Sequence, residues 1–327
     1  MTTINQVREF MNEMGIPGRD LYDIPDSAGR FADGGYCRTE IAGVERFSTL
    51  RAMVDEMKKM DFVVHRAICA VGGATYMTFN ELVDMAQLSS EEGIEAVMTI
   101  GHRMGWDPGA KAAATPEGQQ NGWRLRGSDN VAYHIADIMR CAEAGFRGFL
   151  VYDEGILSIL NEMRSKGMLP ANTFFKFSVF GGYASAAGAR VIAGMGINSF
   201  NPAPDLTLPI LAGIRKVISI PMDVYLIVPD SFGGMFRAYE AAEIARVAAP
   251  VYFKYEPGES EGAMYKPWIT EEFHENHIRQ KVRMAAIVQE LVGKMNPEIK
   301  YSGARPADLT LASAPPRPTA PRGKSSR

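Results

Sequence analysis

The chain has 327 residues, of which 46% are hydrophobic and 22% are charged, a composition typical of a globular protein. Its formal net charge is -3, which argues against a nucleic-acid partner because phosphate binding requires a basic surface. No apolar run reaches the roughly 20 residues that span a bilayer, so we expect no membrane partner. The N-terminus lacks the basic and apolar regions of a signal peptide, and we therefore expect a cytoplasmic location.

An amphipathic helix is predicted at about 4–14, followed by a loop with glycine and proline up to residue 35. From residue 36 onward, strand and helix patterns alternate. Strands are predicted at 36–41, 62–71, 94–100, 149–152, 174–179, 197–200, 222–228 and 251–255. Helices are predicted between them at 47–60, 79–92, 130–144, 156–166, 185–195, 206–218 and 236–248, with a last one at 270–295.

Eight alternating units predict a parallel sheet closed into a (β/α)8 TIM-type barrel, in a single domain. The structural alternative is a doubly wound open sheet, which the absence of GxGxxG after the first strand disfavours. We expect residues 1–35 to be a helix and loop that cap the barrel, 36–296 to be the barrel, and 297–327 to be a proline-rich tail, disordered from about residue 302. The long loop 102–128 is expected to be a lid or an oligomer contact, and apolar helix faces permit a homo-oligomer.

Several predicted strands place charged side chains where apolar ones are expected. Strands of a parallel barrel are buried on both faces, and a buried charge costs several kcal/mol unless it is paired or serves a site. Side chains alternate along a strand, so residues two apart share a face. If these faces point inward, one polar cavity contains Arg38, Glu40, Arg66, Lys176, Asp223 and Lys254.

Active sites of such barrels lie at the carboxyl ends of the strands. The candidate catalytic residues are Glu40, Lys176, Asp223, Lys254 and Glu154. The candidate substrate-binding residues are Arg38, Arg66, Tyr225, His102 and Glu256. Lysines among carboxylates suit acid–base or Schiff-base chemistry, and arginines bind carboxylate or phosphate groups. The alternative is an ion-pair lattice that only fills the barrel.

Cofactor signals are weak. Asp223 with Glu154 or Glu40 can supply oxygen ligands to a divalent metal, but no histidine-bearing spacing supports one, and the metal remains open. The three cysteines are widely spaced and do not predict an iron–sulfur cluster.

Six segments resemble the collagenase-like peptidases of family U-32: DLYDIP at 20–25, RTEI at 38–41, RLRG at 124–127, VYDEG at 151–155, PDSFGG at 229–234 and RVAAPVYFK at 246–254. The similarity runs from about residue 20 to 295 and is to a short, single-domain branch. The resemblance implies a TIM-type barrel and peptidase activity. Better-known members carry a cysteine signature linked to iron–sulfur binding and tRNA hydroxylation, which this chain lacks.

Three functions follow from these patterns. The first is an enzyme acting on a small polar or anionic substrate by acid–base or Schiff-base chemistry, with lyase, aldolase, isomerase and hydrolase all open. The second is a peptidase, as the resemblance implies, although no Ser–His–Asp or HExxH arrangement is apparent. The third is a non-catalytic barrel that binds a ligand.

Overall fold

The structure, a computed structural model, describes residues 2–99 and 124–315. Eight parallel strands pair in chain order, and β8 pairs with β1 to close the barrel. The predicted single-domain (β/α)8 fold is confirmed. The strands are β1 (Cys37–Val44), β2 (Arg66–Cys69), β3 (Glu95–Thr99), β4 (Gly148–Val151), β5 (Phe174–Phe177), β6 (Ser199–Phe200), β7 (Met222–Ile227) and β8 (Val251–Tyr255).

Helices cover the outside of the barrel. In the described residues they are α1 (Thr3–Glu13), α2 (Phe47–Met60), α3 (Phe79–Glu91), α4 (Gly127–Glu143), α5 (Glu154–Ser165), α6 (Ala186–Gly194), α7 (Leu208–Val217), α8 (Ala241–Ala248), α9 (Glu261–Met264) and α10 (Glu271–Met295). α10 is buried along one stripe, including Ile278, Val282 and Val288, and it packs on α2 and β1. None of the helices in the described segments is both long and apolar enough to cross a bilayer.

Alternate side chains on each strand belong to different clusters, as the period of a strand requires. The helix-facing set forms the main core and includes Ile41, Phe175 and Phe253. The set inside the barrel includes Ala42 and Ile68, which pack in a separate small cluster. The interior is therefore distinct from the main core and can hold polar groups.

Part of the N-terminal loop contacts the amino-terminal end of the barrel. The Phe31 ring lies 5.3 Å from the Tyr252 ring and 3.9 Å from the Arg38 guanidinium carbon. The backbone nitrogen of Ser27 donates to the carbonyl oxygen of Arg246 at 2.8 Å. α1, in contrast, has no buried residue.

Residues 297–315 cover the same end, which differs from the disorder expected from about residue 302. Arg38 donates to the Ser302 hydroxyl at 2.9 Å and to the Asp308 carboxylate at 2.5 Å. The backbone nitrogen of Thr310 donates to Glu95 at 2.9 Å. Composition suggested disorder, but polar and backbone groups of this segment satisfy charges that the strands present there. The rest of the expected tail, residues 316–327, lies outside the described residues.

The segment after β8 crosses the carboxyl end of the barrel. Its residues Met264 and Tyr265 are buried and pack with Ala42, Ile68 and Val71. This end is consequently narrow.

A buried lysine of α10 holds that segment in place. Lys281 Nζ donates to the Tyr265 hydroxyl and to the Ala42 carbonyl oxygen, both at 2.8 Å. Burial lowers the pKa of Lys281 to about 8. Gly43 leaves the space for this contact, because it has a φ of +84° and a Cβ there would lie 2.6 Å from Lys281 Nζ.

Candidate active site

Five charged side chains meet inside the barrel in what we call the buried lattice: Glu40, Arg66, Glu95, Lys176 and Asp223. Arg66 Nη1 donates to Asp223 at 2.8 Å and to Glu40 at 3.3 Å, and its Nε donates to Glu95 at 2.6 Å. Lys176 Nζ lies 2.5 Å from Asp223 and 3.0 Å from Glu40. Each charge has an opposite partner, which is the condition for burying an ion.

Strand register brings these groups together. Glu40 is directly opposite Arg66 on β2 and Lys254 on β8, and Arg66 is opposite Glu95 on β3. The Ser199 hydroxyl adds a neutral link, because it donates to Asp223 at 2.6 Å and accepts from Arg66 at 3.0 Å. The lattice is thus a property of lateral strand pairing rather than of any one strand.

Burial and charge act in opposite directions on the lattice. Burial lowers the pKa of Lys176 below its ordinary value, and the Asp223 and Glu40 carboxylates oppose that effect. Burial by itself raises the pKa of Asp223, but Lys176 and Arg66 outweigh it and leave that pKa below the ordinary value. Asp223 is therefore held ionised.

A cavity that we call the mouth pocket lies next to the lattice, toward the carboxyl ends of the strands. Its lining residues Ala42, Ile68, Ser178 and Tyr225 each come two positions after a lattice residue on the same strand or its extension. Its volume is about 10 Å³, the space of roughly one water molecule. The described residues that line it are Ala42, Ile68, Val71, Thr99, Leu150, Tyr152, Ser178, Val179, Phe180, Tyr225, Lys254, Glu256 and Glu261.

Lys254 connects the lattice with the mouth pocket. Its Nζ donates to Asn201 Oδ1 at 3.2 Å and lies 3.8 Å from Glu40 Oε1. The same Nζ lies 4.5 Å from the centre of the Tyr225 ring. Among the described residues that line the pocket, Lys254 is the one with a positively charged side chain.

Tyr225 and Glu256 form a hydrogen-bonded pair in the pocket lining. The Tyr225 hydroxyl donates to Glu256 Oε2 at 2.9 Å. Burial raises the pKa of Tyr225 well above its ordinary value, and the neighbouring Glu256 carboxylate raises it further. The phenol is therefore protonated and can serve as a proton donor.

The structure separates the predicted site residues into groups. Lys254, Tyr225 and Glu256 line the mouth pocket, whereas Glu40, Arg66, Lys176 and Asp223 form most of the lattice beside it. Of the remaining three, two lie elsewhere in the described structure.

Arg38 points into the barrel at the opposite end, where Ser302, Asp308 and Tyr252 engage its guanidinium, so it is not at the carboxyl mouth. Glu154 is not in the pocket lining and pairs with Arg124 and Tyr183. The side chain before it, Asp153, caps α5 by accepting from Gly155 and Ile156 backbone nitrogens. His102 and the predicted lid up to residue 123 lie outside the described residues.

Sequence reasoning missed several participants. Glu95 could have been found, because it is a charge in a predicted buried strand. Ser199 and Asn201 carry no charge signal, and their roles depend on strand register. Lys281 interrupts the apolar stripe of the last helix, which was a usable signal.

In the described part of the chain, no group of three or more His, Cys, Asp or Glu side chains is arranged to hold a metal ion. Cys37, Cys69 and Cys141 are buried free thiols. The side chains around the mouth pocket include the Lys254 amine, the phenols of Tyr152 and Tyr225, and the carboxylates of Glu256 and Glu261.

No family model matches the chain, and no curated protein matches it. Similar solved structures include the YdjI aldolase from Escherichia coli K12, at 11% identity and a TM-score of 0.45, covering 80% of this chain and 94% of that one. The U32 peptidase Mk0906 is 11% identical with a TM-score of 0.40, covering 69% of this chain and 94% of that one. D-Psicose 3-epimerase from Clostridium cellulolyticum H10 is 10% identical with a TM-score of 0.44, covering 78% and 99%.

These similarities are too low to carry an argument about activity. The fold stands on the closed eight-stranded barrel itself. Membership in the U-32 family remains a prediction from the sequence segments.

Proposed function

We propose that this chain is an enzyme that acts with the Lys254 amine on a small polar or anionic substrate at the carboxyl end of the barrel, where the mouth pocket admits only the reacting group. The supporting observation is the position of Lys254: it lines the pocket and makes one side-chain hydrogen bond to the described residues, to the neutral Asn201. Arg66 and Lys176, in contrast, are held between carboxylates.

Glu40 is suited to take a proton from Lys254. Its Oε1 is buried, has no hydrogen-bond partner in the described segments and faces Lys254 Nζ at 3.8 Å. A neutral amine can then attack a carbonyl carbon, forming a C–N bond while the carbonyl oxygen takes up two protons and leaves as water. The same amine can instead act as a general base.

The Tyr225–Glu256 pair supplies the second proton-transfer group of the proposal. Its phenol, positioned by its hydrogen bond to Glu256, can donate its proton to the departing oxygen, and the proton that the attacking nitrogen loses restores the phenol. The buried lattice does not touch the substrate in this proposal. It fixes Glu40 beside Lys254, because Arg66 and Lys176 hold the other oxygen of the carboxylate.

The test is consumption of a pooled mixture of small carbonyl compounds, small carboxylates, sugar phosphates and peptides, followed by mass spectrometry. Lys254→Met is compared with wild type and with Lys216→Met, a control at an exposed position. We expect wild type and the control to consume one small molecule and Lys254→Met to lose at least about a hundredfold in rate. Lys254→Arg, which retains the charge, should be equally impaired.

The family resemblance carries a competing prediction of peptide hydrolysis. New peptide termini formed equally by wild type and Lys254→Met would overturn the proposal in favour of a peptidase. Binding of a pool component without any product, detected as a thermal shift, would favour the non-catalytic ligand-binding barrel.

A further inference from the structure

The mouth pocket is too small and too enclosed for a substrate to enter it as it stands. Its volume of about 10 Å³ leaves room for roughly one water molecule. Lys254 and Glu256 in its lining are only 3% and 1% exposed. Another lining residue, Glu261, belongs to residues 257–269, which connect β8 to α10 across the carboxyl end and which we call the strap. A molecule larger than water can reach Lys254 only if part of this wall moves.

The strap is attached through a small buried area. Within residues 257–269, all of which the structure describes, only Met264 and Tyr265 are buried. They pack in the barrel mouth against Ala42 and Ile68. The rest of the strap is partly or fully exposed, and Trp268 is 70% exposed. A segment with so few buried contacts can open locally while the strands of the barrel stay paired.

One face of α10 holds the strap in place. His274, His277 and Lys281 follow one another at spacings of three and four, so they lie on the same side of the helix. The ring Nε2 of His277 donates to the carbonyl oxygen of Pro257 at 2.8 Å. The ring Nε2 of His274 donates to the carbonyl oxygen of Met264 at 3.0 Å. Lys281 completes the set by donating to the phenol of the strap.

Tyr265 fastens the strap inside the barrel. Its hydroxyl accepts from Lys281 Nζ at 2.8 Å, and the two residues are only 3% and 1% exposed. Burial and the neighbouring Glu256 carboxylate raise the pKa of Tyr265 well above its ordinary value, so the phenol stays protonated and donates to Glu256. A side chain at position 72, where the chain has Gly72, would clash with the carbonyl oxygen of Tyr265. The phenol therefore links a charged group of α10 to a charged group of the pocket lining.

We propose that the strap is a gate over the mouth pocket and that the hydrogen bond between Tyr265 and Lys281 is the latch that keeps it closed. Opening the strap uncovers Lys254 together with Glu256, and closing it shields both from bulk water. This inference goes beyond the proposed function, because it concerns access to the pocket and holds for any molecule that enters.

The test measures how fast a small reagent reaches the pocket. Ser178 lines the pocket and is 2% exposed, so the thiol of Ser178→Cys serves as the reporter. Iodoacetamide is larger than a water molecule and alkylates a thiolate with loss of iodide, so alkylation of the reporter requires opening. Peptide mass spectrometry follows the reporter together with Cys141, a buried thiol on α4 that reports unfolding of the whole barrel.

The reporter is combined with Tyr265→Phe, which removes the latch hydroxyl without changing a residue of the pocket lining. We expect alkylation to become at least about tenfold faster, because a hydrogen bond to a charged group contributes that much to the closed state. Tyr239→Phe, at a position 79% exposed, is the matched control and should change the rate by no more than about twofold. Lys281→Met removes the other partner, with exposed Lys294→Met on α10 as its control, and decides the question if Tyr265→Phe does not fold.

Three results overturn the gate. The first is alkylation of the reporter at the same rate with and without the latch. The second is a reporter that reacts, with the latch intact, as fast as Ser165→Cys at an exposed position, because the pocket would then be open beneath a closed strap. The third is equal acceleration at Cys141, which would show that the whole barrel loosens. None of these results bears on Lys254 as the reactive amine, so the proposed function is tested separately.

Discussion

Asp223→Asn tests the buried lattice directly. The substitution keeps the size of the side chain but removes the carboxylate that lies 2.5 Å from Lys176 and 2.8 Å from Arg66. An uncompensated positive charge then remains in a site where no side chain of the lattice is more than 5% exposed to solvent. Breaking a buried pair in this way costs about 3–5 kcal/mol, a large part of the roughly 5–15 kcal/mol that stabilises a folded protein.

The assay is urea unfolding followed by circular dichroism at pH 7. Asp55→Asn, an exposed change of the same chemistry on α2, should alter the free energy of unfolding by no more than about 0.5 kcal/mol. Adding Lys176→Met to Asp223→Asn removes a cation with the carboxylate, and the double variant should lose less stability than the sum of the single losses. A loss in Asp223→Asn no larger than that of the control would refute the lattice as a paired, buried network.

The pH dependence of the same variant has a defined sign. Because the pKa of Asp223 is lowered on folding, its contribution is complete above the unfolded value of about 4 and disappears as pH falls through the folded value. The difference in free energy of unfolding between wild type and Asp223→Asn should therefore shrink as the pH falls below about 4. A difference that persists or grows there would contradict a lowered pKa of Asp223 in the folded protein.

Three further predictions concern the ends of the barrel. Gly43→Ala should cost about 1–3 kcal/mol in urea unfolding, because φ is +84° and the added Cβ meets Lys281 Nζ; wild-type stability would contradict this. Asp308→Ala should cost about 1 kcal/mol and increase proteolysis after residue 300, since it leaves the buried Arg38 guanidinium without its 2.5 Å carboxylate; unchanged cleavage would argue that this segment is not docked. Burial holds the pKa of His65 at about 4, so the unfolded chain binds a proton that the folded chain does not between about pH 6.5 and 4. Stability should fall by up to about 1.4 kcal/mol per pH unit from this group as pH drops through that window, and His65→Gln should flatten the slope of the melting temperature against pH.

The alternation of strands and helices made the barrel predictable, and the two-residue period of a strand identified the inward faces. Parity does not give depth along the barrel, however. Arg38 and Glu40 share an inward face, yet one meets the C-terminal segment at the amino end and the other joins the lattice. A single strand carries no signal for that difference, because it depends on where neighbouring strands begin.

The ion pairs between strands could not be predicted from the sequence either. The closeness of Glu40 to Arg66 and Lys254 follows from lateral register, which local patterns do not specify. The C-terminal segment was misjudged for a related reason, since its order depends on Arg38 and Glu95 rather than on its own composition. Glu154 was predicted to reach the site because it follows β4. It is instead the first residue of α5 and does not line the mouth pocket.

The proposed function depends on a difference between two lysines inside one barrel: Lys254 lines the mouth pocket, whereas Lys176 is paired with Asp223 and Glu40. The most direct measurement is reductive methylation of the native protein with formaldehyde and cyanoborohydride, with labelling of each lysine followed over time by peptide mass spectrometry. We predict that Lys254 is methylated in the folded protein, whereas Lys176 is methylated only after unfolding. Methylation of Lys176 at the same rate as Lys254, or before it, would contradict the different roles assigned to the two lysines.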